Sequence, residues 1–313
     1  MTAADTLLRE CRAQKGNAPS ESLREAARAF VADALRSREP LEAVASALAT
    51  ESPSSLSWLA IVLGSAAEAG ADPSVAGERL FAAFERLAKV VREGSPREQD
   101  EAIDLMPRCA QGVVAHLARL PALREKLGAN AALLDDLRAT EAGSPAASWV
   151  RVALECTSGP LVVLHPLSGK GAMLRVENVA NCFHLFTLIQ CAVGAKIEGG
   201  RTVRKVIDDC AHGRSDAATD DQAFWYYGDP RAPKPELAAS IWGEASVRSI
   251  PEIDGVRVLL LWPPLVGARF WDSSFFGPFL DAMPADVVFE RMLSDEESAA
   301  WMARLGLDGR GQN

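Results

Sequence analysis

The sequence predicts a two-domain α+β protein, with an N-terminal all-α bundle or short stack of helix pairs followed by an antiparallel sheet packed with helices. Three observations point that way. The first half is alanine-rich with apolar residues at helical spacing. Between Glu141 and Ala147 the composition shifts to Gly, Ser, Pro and Ala, and the periodicity beyond moves from 3.6 toward 2. After residue 145 lie 16 of the 20 aromatic residues and three of the four histidines. A chain of 313 residues exceeds what one growing core serves, so domains are expected at 1–145 and 146–313.

In the first half, Leu23, Ala27, Phe30 and Ala34 share one helical face, with Ser22 and Glu25 as a capping box. Pro40 opens a short helix to about Thr50, and Pro53–Ser55 opens another carrying Trp58, Ile61 and Val62 to Gly70. Asp72 and Pro73 form an N-cap and N1 pair ahead of Leu80, Phe84, Leu87 and Val91. Ser95, Pro96 and Glu98 repeat that signal before Ile103, Met106, Ala110, Val113 and Leu117, with Pro107 expected to kink this helix. Shorter helices fill Pro121 to Thr140. Short links imply antiparallel neighbours, and no consensus repeat recurs at a fixed period. The stripes read as core, or alternatively as a docking surface if apolar side chains stay exposed.

In the second half, Val150, Val152, Leu154 and Cys156 alternate with polar or small residues as in a half-buried strand. With Leu161–His165 and Ala172–Glu177 they make an expected three-stranded meander. Asn178 or Asn181 caps a helix over about 179–193, whose inner face is Cys182, Phe186, Ile189 and Val193. Val203, Val206, Ile207 and Cys210 mark another that stops at Gly213. A polar loop to Asp221 precedes an aromatic strand at Ala223–Tyr227 and a short helix near Glu236–Trp242. Asp254-Gly255 is a hairpin signal, its first strand an edge because of Pro251. A strand at Asp286–Arg291 and a capped helix over Ser294–Leu305 complete the order.

Charge limits the partners. The net charge of −9 is spread over both halves, with 17 basic against 21 acidic residues through Gly143 and 16 against 21 beyond. Neither half carries a bulk cationic footprint for nucleic acid or an anionic membrane, although a local basic patch escapes such a count. Met1–Arg12 lacks the apolar stretch of a secretory leader, and Val258–Val266 is too short to span a bilayer. Six scattered cysteines suit reduced, buried thiols in a cytoplasmic protein.

The strong catalytic signatures are absent. Ser168-Gly169-Lys170-Gly171 lacks the upstream glycine and the terminal hydroxyl of a phosphate loop, so it reads as a hairpin turn whose Lys170 can still meet an anion. Cys182 with His184 and Cys210 with His212 have zinc-like composition, but residues two apart on a helix point about 200° apart, so no metal site is expected. His165 and His184, with Glu177 or Glu244 as carboxylate partner, are the candidate acid–base groups. Trp225, Tyr227, Trp242 and Trp271, with Arg269 and Asp272, are the candidate walls and polar contacts of an aromatic-lined site, unless core packing absorbs them. The expected function is a cytosolic binding or interaction protein, with a helical docking domain and a site for a small molecule or peptide. The alternative is a metal-independent hydrolase or transferase using a histidine–carboxylate pair. No cofactor is implied by any motif.

Overall fold

The computed structural model describes residues 1–307 apart from 217, 218, 222, 266–268, 272–275, 278 and 279, with backbone alone at 219–221 and 269–271. The chain divides into two units, Met1–Leu154 and Glu155–Asn313.

The first unit is helical: α1 (Ala3–Ala13), α2 (Glu21–Ala34), α3 (Glu39–Ala47), α4 (Pro53–Ala69), α5 (Gly77–Glu93), α6 (Pro96–Leu117), α7 (Pro121–Gly128), α8 (Ala131–Glu141) and α9 (Ala146–Glu155). Side-chain caps fix several starts. Ser20, two residues ahead of the expected Ser22, accepts from the Leu23 amide, and Ser95 with Glu98 forms the expected capping box. Asp72 caps a single 3-10 turn, Pro73–Val75, before α5. Helix α4 is apolar nearly all round and buried from Ser55 to Ala60, so it must be surrounded; α1, α2, α5 and α6 pack on it. This is a bundle around a central helix rather than a stack of helix pairs.

Helices α4 and α6 cross in backbone contact. A Cβ on Gly112 would lie 2.1 Å from the Ala60 carbonyl oxygen, and one on Gly64 would lie 2.8 Å from the Gly112 Cα. Glycine costs about 1 kcal/mol against alanine inside a helix, and here that cost is offset because the two backbones touch.

The stretch expected as the first strand of a meander is instead α9. Ala146, Ala147, Val150, Ala153 and Leu154 are its buried apolar positions, an i, i+1, i+4, i+7, i+8 series. The same apolar residues fit both periods, and the bundle takes the helical one: Ala146, Val150, Ala153 and Leu154 all join its core. The boundary therefore falls after α9 rather than before it.

The second unit contains β1 (Thr157–His165), β2 (Lys170–Val179), α10 (Cys182–Val193), α11 (Lys205–Ala211), β3 (Thr219–Asp221), β4 (Tyr226–Gly228), β5 (Glu252–Ile253), β6 (Val256–Trp262), β7 (Arg269–Trp271), β8 (Asp286–Met292) and α12 (Asp295–Arg304). The main sheet runs β4-β6-β1-β2-β8, with β5 also on β6, and β3 pairs β7 separately. The sheet is mixed: β1 and β6 are parallel, and the remaining pairs antiparallel. This departs from a purely antiparallel sheet because β6 reaches β1 through a long crossover that carries α10 and α11 over one face. The β5–β6 hairpin turns on Asp254 and Gly255, both left-handed (φ 53° and 76°), as their sequence signalled.

The two faces have separate cores. Leu161, Val163, Leu174, Val176, Leu259 and Leu261 join Cys182, Phe186, Ile189 and Val193 of α10, the four residues expected on its inner face. Val162, Leu164, Val258, Leu260 and Trp262 pack with Met302 of α12. Two aromatic expectations change. Of the expected aromatic strand Ala223–Tyr227 only Tyr226 and Tyr227 are extended in the sheet, where β4 runs on to Gly228, and the expected helix near Glu236–Trp242 is one 3-10 turn, Leu237–Ala239. That segment lies along the edge instead, where Ser240 bridges to Gly228 and the Ile241 amide donates to the Tyr227 carbonyl.

Substituting Gly112→Ala, a change that stabilises an exposed helix, is expected to destabilise the helical unit by about 2–3 kcal/mol, because the added methyl meets the Ala60 carbonyl oxygen. Urea unfolding measures it, and a neutral or stabilising result would refute the backbone contact.

Candidate functional site

The sequence-nominated acid–base residues do not converge. His165 ends β1 in register with Lys170 at the start of β2, whereas His184 sits in the first turn of α10, just past the far end of β2. Ten residues of β2 separate those ends, about 30 Å of extended chain. His165 is buried, with Nδ1 2.8 Å from the Ser168 hydroxyl within the hairpin turn. Burial lowers its pKa, and the Glu198 charge opposes that in part. His184 is fully buried; its Nε2 lies 2.6 Å from the Ala211 carbonyl oxygen, and its ring stacks on Phe276 at 4.7 Å. Desolvation pushes its pKa down to about 4, with the neighbouring His212 adding to the fall. Glu177 is ion-paired with Arg175, and Glu244 is an exposed turn residue.

The nominated ligand contacts scatter as well. Lys170 donates to Asp295 at 2.6 Å across the surface. Tyr227 is core: its ring stacks on Phe186 at 3.8 Å and its hydroxyl donates to the Phe186 carbonyl at 3.0 Å. Trp242 is 60% exposed. Arg269 and Trp271 belong to β7, known here by its backbone, and Asp272 lies outside the described residues.

Trp225 has a different part from the pocket wall expected of it. It is 1% exposed, and its indole N–H donates to the Glu198 carbonyl at 2.8 Å. The loop after α10 wraps the ring so closely that a Cβ on Gly200 would lie 2.6 Å from it and 2.0 Å from the Gly194 carbonyl oxygen. Gly199 takes a left-handed φ of 83° in the same turn. A rigid aromatic plug thus fixes the path of residues 194–201. Arg201 lies over Phe224, its guanidinium 4.6 Å from the ring centre.

That loop forms one wall of a cleft of about 570 Å³ between the C-terminal end of α10 and α11, lined by Cys191, Lys196, Thr202, Val203, Lys205 and Asp208. Its volume falls in the range of small-molecule sites. Lys196 donates to the Ala192 carbonyl at 3.0 Å, at the electronegative end of α10, and lies 4.7 Å above the Phe289 ring. Lys205 pairs with Asp209 at 2.6 Å with its side chain 85% exposed. The Asp208 carboxylate accepts from Arg214 at 2.5 Å; His212 Nδ1 lies 2.8 Å from the Asp208 carbonyl oxygen and 3.4 Å from its carboxylate, while His212 Nε2 is 3.4 Å from Asp286. The Cys191 thiol is pushed up to about 12 by burial first, then by the charge of Asp208, its hydrogen bond to Asp208 and the charge of Asp286, against a small opposing effect of Arg214.

None of these lining residues was nominated from sequence as a ligand group. The signal available was the basic run from Lys196 to Lys205, with four basic residues against one acidic in an otherwise acidic chain. Among the described residues no group of three or more His, Cys, Asp or Glu is placed to hold a metal ion, and no helix is long and apolar enough to cross a membrane. Comparison with family models, curated proteins and solved structures found no match for this chain.

The buried His184 gives a pH dependence of defined sign. It stays neutral in the folded chain down to about pH 4 and has an ordinary value of 6.5, so the unfolded chain binds more protons between those limits. Stability is expected to fall by about 3 kcal/mol as pH drops from 6.5 to 4. In His184→Gln that portion of the pH slope in urea unfolding should vanish, and an unchanged slope would contradict it.

Proposed function

We propose that this is a cytoplasmic binding protein whose α+β unit takes a small polar ligand in the cleft between α10 and α11. The observation that carries the reading is the cleft itself: a ligand-sized concavity whose floor loop is held in place by a buried tryptophan, with cationic, hydroxyl and apolar side chains at its walls. Preformed walls reduce the ordering cost of binding. The only thiol at the site is kept protonated, which suits holding a ligand better than attacking one. The six cysteines are all free thiols, which suits a reducing compartment. A docking role for the helical unit has weaker support. Its exposed large apolar side chains, among the described residues, are Met1, Leu35 and Trp149, and scattered single residues do not form a patch.

One observation favours the hydrolase or transferase reading as second. Asp208 lines the cleft and contacts His212, whose other ring nitrogen faces Asp286. This histidine–carboxylate group differs from the pairs nominated in sequence.

Two measurements test the proposal. Thermal-shift screening of the full chain against a library of small polar metabolites should find stabilising compounds; occupancy at one hundred times Kd is worth about 2.7 kcal/mol. Val203→Trp, which fills the cleft, should remove the shift. No stabilising compound, or equal stabilisation of the variant, would sink the reading, and consumption of a stabilising compound would favour the enzyme. Separately, Cys191 should react with iodoacetamide at pH 8 at least about a hundredfold more slowly than an unperturbed thiol. Fast alkylation located at Cys191 by peptide mapping would overturn its description as an inert thiol.

A further inference from the structure

We infer that the cleft ligand carries a phosphate group: the site is built for a small organic phosphate, an inference that rests on the cleft being the ligand site. Lys196, Arg201, Arg204 and Lys205 fall within ten residues that hold one carboxylate, Glu198, in a chain of net charge −9. The fold bends this run around the Trp225 plug, so that Lys196 and Lys205 both line the cleft with the Thr202 side chain between them in sequence. Two ammonium point charges and a hydroxyl donor match a compact, doubly charged oxyanion.

The present partners of these cations are weak competitors. The Lys205–Asp209 pair spans one helical turn, and its lysine side chain is 85% exposed; so exposed a pair contributes little, and exchanging it for a dianion is easy. Asp209 retains Arg214 at 3.0 Å and is not left alone by the exchange. Asp208, the carboxylate that lines the cleft, is neutralised by Arg214 at 2.5 Å. The acidic wall therefore opposes an anion less than its formal charge implies. Lys196 is held by the Ala192 carbonyl and the Phe289 ring, neither of which carries a net charge. Size supplies the other half of the argument. A cleft of about 570 Å³ is several times the volume of an inorganic phosphate, and Val203 gives it an apolar wall for an organic remainder.

The test is a matched set of probes on the full chain: phenyl phosphate, benzyl alcohol and benzylamine, followed by amide NMR with shifts assigned to Lys196, Thr202 and Lys205. Phenyl phosphate should move those amides saturably, with weaker binding as ionic strength rises. The Lys196→Gln/Lys205→Gln double variant should lose at least about tenfold in affinity. Both lysines are exposed, so the double variant should keep the wild-type thermal midpoint. If the alcohol or the amine moves the same amides as well as phenyl phosphate does, the cleft stands as a ligand site and the phosphate inference falls. If none of the three moves them, the phosphate inference falls, and the library screen with Val203→Trp decides the cleft separately. Binding that persists undiminished in the double variant, or that maps elsewhere, also overturns the inference.

Discussion

The second unit depends on the complete burial of the apolar run in β1, Leu161–Leu164. Leu161, Val162, Val163 and Leu164 are each fully inaccessible, so both faces of this strand must be covered and both edges paired. β2 and β6 supply the pairing, α10 covers one face, and α12 contributes to the other. Four consecutive apolar residues leave that stretch of strand no solvent face, which places it in the middle of a sheet. The parallel β1–β6 pair follows from the same demand, since the chain must cross a face before returning beside β1.

The crossover positions the candidate site. Helix α10 packs Phe186 against Tyr227 and receives the Tyr227 hydroxyl at its own backbone, and its first turn is closed by the Gly243 and Ala245 carbonyls, which accept from Phe183 and Cys182. With α10 anchored at both its middle and its start, the loop leaving its C-terminal end has one place to go, around Trp225. The cleft is therefore a product of the same aromatic residues that stabilise the core. Lys196 and Lys205 are exposed residues that both line the cleft.

Aromatic enrichment in the second half reads at sequence level as a pocket, yet most of the described rings serve packing. Trp225 and Tyr227 each bury a large apolar area while satisfying one polar atom with a backbone carbonyl, the usual requirement for such residues in a core. They brace the loops beside the candidate cleft, whose charged side chains come from a segment of low aromatic content.

By itself the sequence determined the α+β class, the bundle helices through their caps and 3.6-residue stripes, the inner face of α10, the Asp254-Gly255 hairpin and the β1–β2 turn. These are local properties, set by backbone preference and by periodicity within a dozen residues. Tertiary structure decided whether Val150–Glu155 became strand or helix, because its apolar residues satisfy both periods and the bundle supplied the partner. It decided that His165 and His184 stand at opposite ends of the sheet, since separation in space follows strand order rather than sequence spacing. It also placed the candidate cleft: Lys196, Thr202, Lys205 and Asp208 carry no motif, and they line one cleft beside a loop wound around a tryptophan more than twenty residues further along the chain.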